Sequence, residues 1–311
     1  MSEWLLKPVS FRFQLGDWVL GNVSLPMQVL AVDPFDYSEP VETPGLPGIE
    51  LLKGSNGYAI RNLPVEKKQP TIRAVGGFLC YVPLQYQHCY IDLGWSFQKY
   101  AEKFSSKTRS TINRKVRKFR EKSGGTISWK SYDRPEDLDE FFRHARKVSV
   151  LTYQERLLDV GLPSTEAFQL EAKALAASDR LRAFILFDGD RPVSYLYCPE
   201  REGALVYAYL GYDPEYGSLS VGTVLQWLAI EKIFEERKFR YFDFTEGNSS
   251  HKLLFASHQR LCANVFFLRR TARNWFLLRS HCLTNDVSSW LGAKLDKYGL
   301  KLWAKRLLRR G

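Results

Sequence analysis

The feature that most constrains this chain lies between Arg182 and Gly211. Three apolar runs, Arg182–Asp188, Val193–Cys198 and Ala204–Gly211, are separated by Asp188-Gly189-Asp190-Arg191-Pro192 and Glu200-Arg201-Glu202-Gly203. Short spacers rich in Gly, Asp and Pro accept tight hairpin geometry. The runs carry the β-branched and aromatic residues expected of strands. A three-strand meander is therefore predicted, and what flanks it sets the fold class.

Upstream, Thr126–Tyr132 reads as a strand. Pro135–Val150 reads as a helix with Asp133 as N-cap and the acids Glu136 and Asp137 in its first turn. Ser164–Ala177 reads as a second helix, capped by Ser164. Downstream, a loop over Tyr212–Ser220 leads into a helix over Val221–Arg237. A strand at Phe239–Phe244, a short helix at Ser249–Ala256 and a strand at Ala263–Arg269 follow. The order is strand, helix, helix, three strands, helix, strand, helix, strand. That order predicts an α/β (α+β) fold, with a mixed twisted sheet flanked by helices.

The first hundred residues read as strand and loop. Asp33–Gly48, rich in Pro, Gly and acids, forms the longest loop, and Phe78–Leu84 and His88–Leu93 read as strands. Phe97–Lys122 has neither Pro nor Gly and reads as one helix stopped by Ser123-Gly124-Gly125. Thr271–Gly311 reads as helix broken near Thr284–Ser289.

The 311 residues are 45% hydrophobic, enough for a sizeable core, and carry a formal net charge of +11. Such a balance favours polyanions, anionic surfaces or phosphorylated ligands as partners. Cys80, Cys89, Cys198, Cys262 and Cys282 show neither C-x-x-C nor zinc-finger spacing, so reduced thiols and no metal site are expected. Met1–Ser10 contains Glu3 and Lys7 and no long apolar run, so no secretory leader is expected. No eighteen uncharged apolar residues run together. The expected location is cytoplasmic, with peripheral contact to the inner face of a membrane as an option.

Four places could carry chemistry. The first is the junction Tyr216-Gly217-Ser218-Leu219-Ser220-Val221-Gly222-Thr223. Its small residues permit close backbone approach, and the following helix offers open amides to an anion of pyrophosphate size. The blander reading makes Ser220 a helix cap and Gly222 a packing contact. It is neither a P-loop nor a Rossmann fingerprint. The second is the strand end Asp243-Phe244-Thr245-Glu246-Gly247-Asn248-Ser249-Ser250-His251-Lys252. Glu246 or His251 could act there as a general base, or these groups simply cap and turn the chain.

The third place is the basic stretch Lys103–Lys122, nine Lys or Arg against Glu121. Read plainly it could bind nucleic acid or anionic lipid, though with only Phe104 and Phe119 as aromatics it is poorly suited to stacking single-stranded bases. A solvated helix facing a groove that holds an anionic substrate fits equally well. The fourth is the tail, where Trp275, Phe276, Trp290, Leu291, Leu295, Tyr298, Leu302 and Trp303 interleave with basic residues. Docking onto the protein's own body or a second subunit, or onto an anionic membrane through residues 285–311, both fit this pattern.

Three segments together resemble the CelD-type group of GNAT-fold acetyltransferases, itself similar in architecture to the Fem-type transferases. They are Phe104-Ser105-Ser106-Lys107-Thr108-Arg109-Ser110-Thr111-Ile112-Asn113-Arg114-Lys115, then Tyr216–Leu225, then Phe242-Asp243-Phe244 through Lys252. The sequence has Ser220-Val221-Gly222 where the group has Ser-Pro-Gly, and His251 where it has an aromatic. The resemblance implies a degenerate N-terminal GNAT-like unit over 1–102, a basic linking helix over 103–125, a complete GNAT domain over 126–270 and a helical tail over 271–311.

It further implies acetyl-CoA or another acyl-CoA as co-substrate, with Leu210, Tyr212, Ser218, Leu219, Ser220, Val221, Gly222 and Thr223 as the binding residues. The pantetheine arm would enter where Ala204–Gly211 and Phe239–Phe244 splay, with an amide near Leu210 or Tyr212 polarising the thioester. Glu246 and Asp243, then His251, would be the base, and Tyr212, Tyr216 or Tyr241 the acid. Arg109, Arg114 and Lys252 would meet substrate. The implied function is N- or O-acetyl transfer to an amine or hydroxyl acceptor, such as a sugar or envelope polysaccharide precursor. A Fem-like transferase using aminoacyl-tRNA is the alternative, with nucleic acid otherwise not expected as a partner. A non-catalytic membrane-associated scaffold is the third reading.

Overall fold

The computed structural model describes residues 3–16, 18–33, 35, 39–152, 161–247 and 249–297. In chain order the strands are β1 (Leu5–Leu15), β2 (Trp18–Ala31), β3 (Gly57–Pro64), β4 (Ile72–Val75) and β5 (Phe78–Asp92). Helices α1 (Phe97–Glu102) and α2 (Ser106–Lys122) come next, then β6 (Ser128–Tyr132), α3 (Leu138–Ser149) and α4 (Glu166–Ala177). The meander is β7 (Leu181–Asp188), β8 (Arg191–Arg201), β9 (Ala204–Val206) and β10 (Tyr209–Tyr212). The chain continues through α5 (Val221–Glu236), β11 (Tyr241–Asp243), α6 (Ser250–Phe255), β12 (His258–Arg269) and α7 (Ala272–Lys297).

These elements form two compact units. One comprises residues 1–87 and 260–311, the other His88–Gln259. In the first unit the strand order is β1-β2-β3-β12-β5, with β4 paired to β5. The β1–β2 hairpin is antiparallel, β2 runs parallel to β3, and β3 is antiparallel to β12. Val9, Phe11, Met27, Tyr81, Phe266 and Leu278 pack between this sheet and α7. In the second unit the order is β5-β11-β9-β8-β7-β6, with β10 on β8. Only β9 and β11 pair in parallel there, so this sheet is mixed as expected.

In the second unit α5 contributes Val221, Val224, Leu225, Ala229, Ile230 and Ile233 to a core shared with Phe184, Leu196, Leu205 and Phe242. On another face, Phe141, Ala145 and Val148 of α3 pack with Tyr132, Ile185 and Tyr197. The far end of α5 is anchored by Arg182, whose guanidinium meets Glu236 at 2.6 Å and Asp179 at 2.7 Å and lies 5.0 Å from the Phe239 ring. A buried cation is tolerated only when paired in this way.

Several expected boundaries move, each for a local reason. The single helix over Phe97–Lys122 is two, because Ser105 turns extended and its hydroxyl accepts from Thr108 N, starting α2 afresh. Asp133 does not cap. Pro135 begins a 3₁₀ turn, the preceding Arg134 is extended as residues before proline tend to be, and no side chain caps it. Thr165 rather than Ser164 caps α4, accepting from Phe168 N at 3.4 Å. Ser220 sits in the left-handed region and its side chain caps nothing.

Helix α7 runs unbroken through Thr284–Ser289. Thr284 Oγ1 donates to Ser280 O at 2.8 Å, Asn285 reaches His281, and Ser288 Oγ accepts from Gly16 N, so these polar side chains are satisfied without leaving the helix. The part of the expected tail beyond Lys297, with Tyr298, Leu302 and Trp303, lies outside the described residues. Cys80, Cys89, Cys198 and Cys262 are buried free thiols, and Cys282 is half-buried and also free.

Burial pushes the pKa values of His281, His251 and His144 below the usual histidine range. His281 Nδ1 lies 2.6 Å from the Tyr81 hydroxyl in the first unit. A depressed folded-state value means that the unfolded chain takes up the proton first, so stability falls as pH drops through about 6.5. The carboxylates with lowered values, Glu42, Glu140, Asp179 and Glu200, lose their contribution only below that window. The unfolding midpoint in urea should therefore decrease between pH 7.5 and 5.5. His281→Gln should flatten part of that slope while costing about 1 kcal/mol at pH 7.5 through the lost Tyr81 contact.

Candidate functional site

In the second unit, β9 and β11 pair at Ala204↔Tyr241, Leu205↔Phe242 and Val206↔Asp243, and Tyr207 N donates to Asp243 O at 2.8 Å. There the ladder ends. Ala208 N turns to Tyr197 O, and β10 continues on β8 from Tyr209↔Tyr197 to Tyr212↔Ser194. The run expected as one strand over Ala204–Gly211 is thus two, and only its second half leaves β11. The divergence has a packing cause at Gly211: a Cβ there would lie 2.3 Å from the Tyr195 ring, so only glycine lets β10 lie flat on β8.

Beside this divergence stands the start of α5. Its approach is a 3₁₀ turn over Pro214–Leu219, pinned to the β7–β8 hairpin. Buried Asp213 accepts from Arg191 Nη2 at 2.5 Å and from Glu215 N at 3.0 Å, and Glu215 also meets Arg191 at 2.6 Å. Tyr216 donates its hydroxyl to Asp188 at 2.9 Å, which commits it to holding the loop. Ser220 O accepts from Thr223 N and Val224 N. No side chain caps this end, and with Thr223 N and Val224 N engaged the amides of Val221 and Gly222 are the uncapped ones. Gly222 faces β10: a Cβ would meet Leu210 Cδ2 at 3.2 Å and Tyr212 Cδ1 at 3.4 Å. The packing reading of Gly222 is therefore what the geometry shows. Leu210 and Tyr212 thus lie against Gly222 of the junction.

The basic helix borders the same place. Lys118 Nζ donates to Ser218 O at 3.3 Å, and the charge of Lys115 acts on His251. Arg109 and Arg114, with Ser106, Ser110, Asn113 and Arg117, line an open groove of about 510 Å³ along α2. The structure thus brings Lys118 to the junction and Lys115 near His251, two residues the spacing argument had not separated from their neighbours.

At the end of β11 a second cluster forms. Asp243 Oδ1 lies 3.0 Å from His88 Nε2 and accepts from Thr245 N at 2.6 Å. Thr245 takes φ +60°, strained for a β-branched residue and held by that bond. The bend wraps Lys252, whose Nζ donates to Glu246 O at 2.8 Å and approaches Thr245 Oγ1 at 3.5 Å. Burial pushes the Lys252 pKa down, opposed by Asp243, Cys89 and Glu246. Ser249 caps α6, accepting from Lys252 N at 3.2 Å. The Glu246 carboxylate is exposed, and its carbonyl makes the contact to Lys252. Asn248 lies outside the described residues.

His251 Nε2 is 2.5 Å from Gln226 Oε1, a buried side chain on α5 whose Nε2 finds no partner among the described residues. Burial first, then Lys115 and Lys252, lower the His251 pKa, so this ring is neutral at neutral pH. Sequence reasoning did not find His88, Gln226, Lys115 or Lys118. Gln226 had a signal, as a lone polar residue within the apolar run Val224-Leu225-Gln226-Trp227-Leu228. His88 had none, because its carboxylate partner lies 155 positions away along the chain (243 − 88).

Among the described residues no group of three His, Cys, Asp or Glu side chains could hold a metal ion.

Residues 106–253 match the family model described as an acetyltransferase (GNAT) domain. The matched segment falls within the second unit. No curated protein matches the chain. Among solved structures, FemX is similar with a TM-score of 0.50 at 11% identity, covering 89% of this chain and 90% of that one. The L-PGS structure from Bacillus licheniformis has a TM-score of 0.47 at 14% identity, covering 73% and 72%. A GCN5-related N-acetyltransferase from Kribbella flavida has a TM-score of 0.32 at 9% identity, covering 60% and 59%. At these identities the likeness to FemX is one of fold.

Gly211→Ala should push against the Tyr195 ring and cost about 1–3 kcal/mol in chemical denaturation. Asp213→Ala should cost about 1 kcal/mol in chemical denaturation by removing the acceptor of the Glu215 amide and loosening the loop before α5. Its chymotrypsin cleavage after Tyr216 or Leu219 should be faster than in the parent protein.

Proposed function

We propose that the second unit transfers an acyl group from an acyl-CoA, acetyl-CoA in the first instance, to an amine or hydroxyl acceptor. The observation that carries this reading is the parting of β10 from β11 at Tyr207–Asp243, directly beside the uncapped start of α5 in the segment that matches the acetyltransferase (GNAT) family model. The first amides of α5, with Ser218, Leu219, Ser220, Val221, Gly222 and Thr223 around them and Lys118 alongside, would hold the pyrophosphate. A bound acyl thioester supplies an activated carbonyl and a thiolate leaving group. The β10 amides near Leu210 and Tyr212 would donate to the carbonyl oxygen as charge develops on it.

The acceptor must lose a proton as it attacks. Asp243, at the vertex of the parting strands with His88 behind it, takes that proton in this scheme. His251, kept neutral by burial and by its cationic neighbours and held by Gln226, is the second candidate, and exposed Glu246 the third. Tyr212 on β10 would return a proton to the departing sulfur. Lys252, half-buried in the bend, places a positive charge where the acceptor would bind. The resemblance to the CelD-type group favours a sugar or polysaccharide precursor as acceptor.

A second reading, transfer from aminoacyl-tRNA, is favoured by one observation: the exposed groove of Arg109, Arg114 and Arg117 on α2. It requires salt-sensitive tRNA binding that disappears when Arg114, Arg117 and Arg120 are changed to Glu.

Millimolar CoA should raise the thermal midpoint, by an amount equivalent to about 2.7 kcal/mol if the concentration is 100 times Kd. No shift would count against the reading. Asp243→Asn keeps an oxygen for the Thr245 amide, so it should fold normally while kcat/KM for acetyl transfer drops roughly 10²–10⁴-fold. Retained activity in that variant would move the base to His251.

A further inference from the structure

Helix α7 in the first unit presents two unlike faces. Its inner face carries Leu278 and His281, buried against the sheet and against Phe11, Tyr81 and Phe266. Its outer face carries Phe276, Leu283, Val287 and Trp290, exposed to 69%, 65%, 38% and 58%. At about 100° per residue these four positions fall within about 60° of arc, in a stripe some 21 Å long. Exposed apolar residues scattered singly need no explanation, but a continuous stripe of this kind does.

The stripe is extended by the hairpin of the same unit. Gly16 N donates to Ser288 Oγ at 2.9 Å, which ties the β1–β2 tip to the turn of α7 that holds Val287 and Trp290. That tip exposes Trp18, Val19 and Leu20, each by half or more. Basic side chains flank the stripe. Arg273, Arg279 and Lys294 are exposed, Arg279 lies 5.6 Å from the Trp275 ring, and Lys294 Nζ lies 4.8 Å from the Trp290 ring. Asp286 is the one acid between Ala272 and Lys294, and the sequence over 298–311 adds five Lys or Arg with no acid.

We infer that α7 and the β1–β2 tip form a docking surface for an anionic lipid bilayer, with the outer stripe entering the headgroup region and the flanking cations meeting lipid phosphates. Three observations select this occupant. Tryptophan and phenylalanine beside Lys and Arg on one helix face is the composition of an interfacial helix. Among the described residues no helix is long and apolar enough to cross a membrane, so the contact is one of lying on the surface. The net charge of +11 repels a second copy of the chain and attracts an anionic surface. This inference concerns the first unit and does not depend on the proposed transferase chemistry.

The test is flotation of the full chain with vesicles of phosphatidylcholine containing about 30% phosphatidylglycerol, against vesicles of phosphatidylcholine alone. Binding is expected only to the anionic vesicles, with a blue shift of tryptophan emission, and it should weaken strongly in about 0.5 M salt. Phe276→Ser with Trp290→Ser should reduce binding at least tenfold. So should Arg273→Glu with Arg279→Glu and Lys294→Glu. All five positions are exposed, so an unchanged thermal midpoint separates lost binding from lost fold. The inference is overturned if the parent protein ignores anionic vesicles or if both sets of variants bind as it does. It is also overturned if the protein forms a concentration-dependent dimer that the serine pair dissolves, which would assign the stripe to self-association.

Discussion

The second unit depends on where one ladder of backbone hydrogen bonds stops. Up to the bond from Tyr207 N to Asp243 O, β9 and β11 satisfy each other's amides and carbonyls as sheet neighbours. Beyond it β10 stays with β8. The contacts around the parting keep it in place. Gly211 lets β10 lie under Tyr195, Gly222 lets α5 approach β10, and Asp213 with Arg191 fixes the loop between them.

The same logic explains the charge arrangement in this unit. Cations gather at the start of α5 and at the bend after β11, from elements distant in sequence: Lys115 and Lys118 from α2, Lys252 from α6. Lys118 and Lys252 are held at backbone carbonyls, and the charge of Lys115 acts on the His251 ring. The carboxylate at this end, Asp243, is engaged by His88 and the Thr245 amide. Structural pairs behave differently. Arg182 with Glu236 and Asp179, and Arg191 with Asp213, are closed on themselves and serve to hold α5 at both of its ends.

The two units use exposed apolar surface differently. In the second, large apolar side chains on α5 are almost all buried in one core. In the first, α7 buries one face and leaves the other uncovered, although it is the longest helix among the described residues. A helix that buried no face would not be held to the body at all. One that buried both would have no outer surface to offer.

The amino-acid sequence by itself determined the order of strands and helices from residue 126 to 269, because turn residues and apolar periodicity are local signals. It also located the two stretches where the candidate site lies, the Ser218–Thr223 junction and the Asp243–Lys252 strand end, since both break the apolar pattern with small or ionisable groups. What it left open were choices settled by distant neighbours. Whether Gly222 meets a ligand or a strand depends on Leu210 and Tyr212. The splitting of Ala204–Gly211 depends on which partner each half finds, and the side of α2 that faces the junction depends on how Ile112 and Phe119 are buried. The continuity of α7 depends on Gly16 satisfying Ser288 from 272 positions away. Only the tertiary structure decides these, because hydrogen-bond partners and packing surfaces are set by proximity in space, which local composition does not encode.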